Sequence, residues 1–337
     1  MRRRRWSGVA LLLLSGCGRY RDFTLPAPSG EPREVRWVWQ PVAGPVLSRG
    51  DSGEWDGIDS LNPSVVRARD LFFNFYSGFD GKTWRTGRAI SKDGVIWTKG
   101  GEVLSPDPAT WEGDYMAANG HALDVNGEFF YWYQAARTPR LGLARSKDGI
   151  KFEKHAKPVL DLGPRGSWDE RGVADPYVIR VGEAFYMFFL GQDRARRQRL
   201  GVAVSRDGAT WWKLRSNPIL EPGGPGEFDE AGVGEPAVWV SHGYYWMLYT
   251  GRDRNEVRRM GMARSRDGVR WEKLREPIIA GDQAWDSKVV CDATVIESGE
   301  AVRVWFGGGL MARPDERLNG QIGLGVLRPS DAKLAGE

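Results

Sequence analysis

One string recurs along this chain: GRAISKDGVIW at Gly87 to Trp97, GLARSKDGIKF at Gly142 to Phe152, GVAVSRDGATW at Gly201 to Trp211, and GMARSRDGVRW at Gly261 to Trp271, with a worn fifth copy from Gly323. Each copy reads as a β-hairpin: a small-and-apolar strand, an Asp-Gly turn whose glycine accepts positive φ, and a strand ending in an aromatic. The serine and aspartate suit hydrogen bonds to the turn backbone and are read as scaffold.

Two further features keep step with the hairpin. An aromatic-acid pair recurs at Trp55-Asp56, Trp111-Glu112, Trp168-Asp169, Phe228-Asp229 and Trp285-Asp286. Because it repeats in every copy, it is read as packing between copies. Six or seven residues later a short strand opens at Asn62-Pro63, Asn119-Gly120, Asp175-Pro176, Glu235-Pro236 and Asp292-Ala293, in steps of 57, 56, 60 and 57 residues. Each opener precedes an apolar strand, a turn and an aromatic-rich strand such as Phe185 to Phe189.

Four strands in about 57 residues is the size of a propeller blade. The expected fold is therefore all-β, a five-bladed β-propeller of four-stranded antiparallel blades over residues 35–330. An open solenoid is disfavoured. The last unit lacks a clear hairpin, whereas an orphan strand at Val35 to Gln40 precedes the first, and that strand can complete the fifth blade and remove the exposed edges.

Residues 1–16 read as a lipoprotein signal: basic Arg2 to Arg5, apolar Val9 to Leu14, and Leu14-Ser15-Gly16-Cys17 as a lipobox with Cys17 lipidated. The apolar run is far shorter than the roughly 20 residues a membrane-spanning helix needs. The expected location is the bacterial cell envelope, lipid-anchored on the periplasmic side or at the outer membrane. Residues 17–34, rich in Pro, Ser and Gly, read as a flexible tether with no apolar pattern to bury. The four leader arginines account for the whole formal excess of +4, so the charge gives no reason to expect a nucleic-acid partner. With Cys17 acylated, Cys291 has no disulfide partner.

In a propeller the innermost strands line the channel, so the five openers form a ring at one mouth: Asn62, Asn119, Asp175, Glu235, Asp292. Scaffold positions keep their identity from blade to blade, whereas this one stays polar and changes in kind. A cluster of acids in a partly enclosed mouth splits its pKa values, as glycoside hydrolysis by a carboxyl pair requires. Turn hydrogen bonds or cation binding are the competing roles.

The pattern resembles the five-bladed propeller glycoside hydrolases, the superfamily containing families 43, 32, 68 and 117, over about residues 35–328. The resemblance implies an oligo- or polysaccharide substrate, Asp175 of the Asp-Pro motif as the orienting carboxylate, and Glu235 as general acid. Asn62 stands where those families carry the blade-one aspartate, so either Asp59 or Asp292 supplies the missing carboxylate, or the chain binds glycans without cleaving them. A protein-interaction scaffold is the remaining alternative. Trp84, Tyr115 and Tyr177 are candidate sugar-stacking aromatics, and His121 a candidate channel-facing residue beside Asn62 and Asn119 in substrate binding. Three histidines without metal-ligand spacing point to no catalytic transition metal and no cofactor beyond a structural cation in the channel. The expected state is a monomer.

Overall fold

A computed structural model describes residues 19–330; the signal segment and Cys17 lie outside the described residues. These residues form five antiparallel blades. Blade one holds Asp59–Leu61 with Val65–Ala68, then Leu71–Phe79, Trp84–Ser91 and Thr98–Leu104. Blade two holds Met116–Val125, Glu128–Ala135, Arg140–Ser146 and Glu153–Lys154. Blade three holds Gly172–Val181, Ala184–Gln192, Gln198–Ser205 and Trp211–Leu214. Blade four holds Gly232–Ser241, Tyr244–Arg252, Arg258–Ser265 and Glu272–Lys273.

Blade five is closed by the start of the domain. Its strands Val289–Ser298, Ala301–Gly309 and Gln321–Ser330 are completed by Arg36–Pro41, which pairs antiparallel with the last of them from Arg36↔Ser330 to Pro41↔Gly325. The orphan strand thus takes the outermost place and the ring has no open seam. The only helical element among the described residues is one 3-10 turn, Ala284–Asp286.

The repeated residues do the structural work expected of them. In each SxDG hairpin the serine hydroxyl accepts from the glycine N–H and the aspartate accepts from the next two N–H groups, as Gly94 donates to Ser91 and Val95 and Ile96 donate to Asp93. Those backbone bonds hold the Asp93 and Asp148 carboxyls down at about 2. The hairpins also seal neighbouring blades: Trp132 of blade two donates to Gly208 O of blade three, and Trp305 of blade five donates to Gly94 O of blade one.

The aromatic-acid pair is explained by two contacts. Trp168 covers Gly191 and Gly201, where a Cβ would come within 2.1 and 2.5 Å of the indole, so only glycine fits beneath it. The acid turns inward and meets a lysine of the blade's outer strand: Asp56–Lys99, Glu112–Lys154, Asp169–Lys213 and Asp229–Lys273. Blade five borrows its outer strand from the other end of the domain and has no such lysine, and Asp286 instead accepts from Gln283 N.

The described part of the expected tether does not hang free. Tyr20–Arg21 pairs parallel with Trp211–Leu214 on blade three. Leu25 is 3% exposed, its N–H donating to Asp267 O. Pro26 O accepts from the Tyr245 hydroxyl, and Arg33 N–H donates to His242 O. The blade-four hairpin leaves a slot over Gly268 that Leu25 fills, a hydrophobic gain that Pro/Ser/Gly composition concealed.

Candidate active site

Each inner strand is broken by a bulge at its opener. Register shifts fall between Ala118 and His121, Ala174 and Tyr177, Gly234 and Ala237, and Cys291 and Thr294, and in blade one the strand is interrupted around Asn62. All five openers sit in the left-handed region: Asn62 at φ 50°, Asn119 at 47°, Asp175 at 49°, Glu235 at 52° and Asp292 at 55°. That conformation costs a non-glycine residue about 1 kcal/mol, and five such residues in one ring mark a shared purpose. The bulge re-aims each side chain out of the β alternation and into the mouth.

The five side chains line one pocket of about 270 Å³, and its wall adds Trp84, Tyr115, Gln134, Arg137, Arg252 and Arg258. The ring is linked residue to residue. Asn119 Nδ2 donates to Asp175 Oδ1 at 2.7 Å and to Gln134 Oε1 at 3.2 Å. Glu235 N–H donates to Asp175 Oδ2 at 3.3 Å, Asp292 N–H to Glu235 Oε2 at 3.2 Å, and the Cys291 thiol to Asp292 Oδ2 at 2.9 Å.

Three acids this close cannot all ionise cheaply. Burial, then the Glu235 charge, raises the Asp175 carboxyl to about 7, against the hydrogen bonds from Asn119 and Glu235 N–H and the more distant Arg258. The same two causes push Asp292 well above the carboxylate range. Buried Arg258 keeps its charge because Glu235, Cys291, Asp292 and Asp315 outweigh desolvation. Its guanidinium also donates to the carbonyls of Arg313 and Pro314, fixing the blade-five loop over the pocket edge. The arrangement places Asp175, its carboxyl raised to about 7, beside the carboxyl of Glu235, a pairing of the kind that acid-base cleavage of an acetal uses.

Asp175, Glu235, Asp292, Asn62 and Asn119 therefore converge as the spacing implied, and Trp84 and Tyr115 join them on the wall. Tyr115 is tied at its hydroxyl to Glu316, with Arg137 over its ring. Three expected site residues do not line this pocket. Asp59 is fully buried and accepts the N–H groups of Arg317, Leu318 and Gly320, so it anchors the blade-five loop rather than supplying the missing carboxylate. His121 and Tyr177 lie two residues past the bulge, where alternation turns them down the channel. They close against each other at 3.9 Å between ring centroids and line a small void of about 30 Å³ under the ring. His121 accepts from Val178 N–H, and burial lowers it to about 3, so it is a neutral plug.

Gln192, Gln198, Arg252 and Arg258 had no place in the sequence reading, yet the same logic finds them. The residue after the glycine covered by the aromatic varies as Phe79, Ala136, Gln192, Arg252 and Gly309, with Ala135 replacing that glycine in blade two. The residue three before the hairpin glycine varies as Trp84, Pro139, Gln198, Arg258 and Gly320. Both positions flank the turn between second and third strands, which opens on the same mouth, so most of these residues form the pocket's outer ranks.

Residues 121–211 match the family described as beta-1,4-mannooligosaccharide phosphorylase, glycoside hydrolase family 130. The chain has the fold of that family. A solved structure from the GH130 family of mannoside phosphorylases, which contains glycoside hydrolases that target beta-1,2 mannosidic linkages in Candida mannan, superposes with a TM-score of 0.68 at 16% identity, over 91% of this chain and 96% of the other. In sequence, the chain is similar to an uncharacterised protein of Mycobacterium tuberculosis, 28% identical over 237 residues, 63% of this chain and 75% of the relative. It is also similar to the 1,2-beta-oligomannan phosphorylase of a Thermoanaerobacter species, 25% identical over 253 residues, 58% of this chain and 80% of the relative. The likeness found is thus to family 130 rather than to families 43, 32, 68 and 117, and the five-bladed architecture stands.

Proposed function

We propose that this chain is a glycosidase that hydrolyses β-mannosidic bonds of short oligosaccharides. The carrying observation is the ring of unequal carboxyls. Asp175, rather than the Glu235 that the resemblance implied as general acid, holds a proton near pH 7 and donates it to the glycosidic oxygen as the bond to the anomeric carbon breaks. Glu235 takes a proton from the water that attacks that carbon, and the freed aglycone leaves with its new hydroxyl. Asp292, kept protonated, and the amides of Asn62 and Asn119 face the pocket as partners for sugar hydroxyls, with Trp84 and Tyr115 as its aromatic wall. β-Mannosides are the substrate class named in the matching family and in the oligomannan phosphorylase relative.

The same names favour a second reading, phosphorolysis, in which inorganic phosphate replaces water. Water is preferred here because the pocket's cations are already matched. Arg258 faces Glu235, Asp292 and Asp315, Arg252 pairs with Glu256 at 3.2 Å, and Arg137 pairs with Asp114 at 3.5 Å. A phosphate dianion would enter a pocket whose arginines are balanced by carboxylates.

Incubation with β-1,2- and β-1,4-mannooligosaccharides, with and without inorganic phosphate, separates the readings. Hydrolysis releases mannose at a rate independent of phosphate. Mannose 1-phosphate formed only when phosphate is present would overturn the choice of water. Binding by calorimetry without turnover under either condition would leave a lectin-like propeller.

A further inference from the structure

The face opposite the pocket carries its own pattern. Inner strands start at the mouth, so the SxDG hairpins, between third and fourth strands, all turn on the far face. In blade four the hairpin is covered by Leu25 of the N-terminal segment. In blade three the tip is Ala209-Thr210, partly buried. In blades one and two the tips are uncovered and aliphatic: Val95 is 38% exposed, Ile96 76% and Ile150 50%. Exposed lysines flank them, Lys92 beside the first tip and Lys147 and Lys151 beside the second, with exposed Arg69 donating to Lys147 O between the two blades.

The first described residues lie toward this same face. Tyr20–Arg21 runs parallel to Trp211–Leu214, which leaves the blade-three hairpin tip, so the chain traced backwards from Tyr20 heads toward the far face. Arg19 borders a groove with Ala209 and Thr210 of that tip and His155 and Lys157 of blade two. Cys17 precedes Arg19 by two residues in the sequence. The preceding residues hold the basic Arg2 to Arg5 and the apolar Val9 to Leu14, the pattern of a lipid-directed segment.

We propose that the far face rests on an anionic lipid surface, with the tips Val95-Ile96 and Ile150 seated among the headgroups, their lysines on anionic phosphates, and the pocket mouth turned away from the bilayer. Apolar side chains on basic loop tips, next to the point where an acylated residue would lie, give the second signal that stable anchoring by a lipid chain requires. The orientation leaves the pocket open to oligosaccharide from the aqueous side.

The test uses the full chain, expressed with its leader in a bacterial host and reconstituted in vesicles of phosphatidylcholine and phosphatidylglycerol. An environment-sensitive fluorophore is placed at I96C, I150C or, on the mouth side, T110C; the chain without an introduced cysteine is the blank, buried Cys291 being shielded. Retained circular dichroism and thermal transition show that the labelled chains are folded. With tips inserted roughly 5–10 Å, nitroxide lipids should quench the labels at 96 and 150 at least about twofold and leave 110 unchanged. Flotation with vesicles but no quenching at 96 or 150 would keep the anchor and overturn the docking. No flotation overturns both. A dimer in sedimentation that I96D/I150D dissolves would assign the tips to a second copy and overturn the lipid assignment. None of these readouts depends on the pocket's chemistry.

Discussion

Replacing Asp175 by asparagine keeps the volume and the left-handed backbone that asparagine tolerates, and it removes the transferable proton together with one of the two acceptors used by Asn119 Nδ2 and Glu235 N–H. The carboxyl sits at about 7, roughly three units above an ordinary aspartate, so about half the molecules hold the proton at pH 7 and about a tenth at pH 8. The wild-type kcat/KM on an unactivated mannoside should therefore fall about tenfold per unit above that point. A positioned general acid supplies about 10²–10⁴-fold, or roughly 3–5 kcal/mol of barrier. Asp175→Asn should lose that factor on the unactivated substrate. It should lose far less on an aryl mannoside whose leaving group departs without a proton, and the basic limb of its pH profile should vanish. Glu235→Gln should move the wild-type limb to lower pH, because the Glu235 charge helps to hold the Asp175 proton. The assay is initial rate against pH for both substrates and all three proteins. Equal losses on both substrates, or a basic limb that persists in Asp175→Asn, would refute the assignment of Asp175 as acid.

Other outcomes follow from the scaffold. Lys213→Met should cost about 3–5 kcal/mol in urea unfolding because it strands Asp169 in the core, while Lys99→Met should cost less, because that lysine is 33% exposed and its removal opens Asp56, itself buried, to water; equal costs would show that the lysine's exposure does not set the value of the pair. Leu25→Ala should lower stability by about 2–5 kcal/mol, and a change under about 0.5 kcal/mol would mean the N-terminal segment contributes nothing to the domain. Asp175 and Asp292 have folded pKa values above their unfolded ones, so their contribution is fully present below about pH 4 and is lost as pH rises through the folded values, which for Asp175 is about 7. The melting temperature should fall over that window and flatten in Asp175→Asn/Asp292→Asn; a wild-type melting temperature that rises from pH 4 to 7 contradicts the raised values.

The blades were legible because a propeller repeats its physics. The Asp-Gly turn, the indole over glycine and the buried acid each recur at a fixed offset, so residue identity alone located the hairpins, the strand openers and the closing strand. The ring at the mouth was legible by the inverse rule, as the position that stays polar and changes kind. The bulge was hidden, because left-handed φ at Glu235 or Asp292 leaves no compositional trace, and without it His121 and Tyr177 look like neighbours of the site. Asp59 misled for a related reason. An unmatched acid near a site reads as catalytic, but its partners are three backbone N–H groups more than 250 residues away, which no local spacing announces. Leu25 was missed because its slot is made by another blade's hairpin.

The strand Arg36–Pro41 has no partner until Gln321–Ser330 exists, nearly 300 residues later. During synthesis the first strand of the domain must wait while four blades emerge behind it, and the cooperative ring can form only when the last strand arrives. Closing so long a loop carries an entropic cost that grows only slowly with length, but the contact is about as non-local as the chain allows, which favours slow final closure. Until then the blade-five edge and the slot for Trp305 against Gly94 stay open to water. The ring then locks in one step.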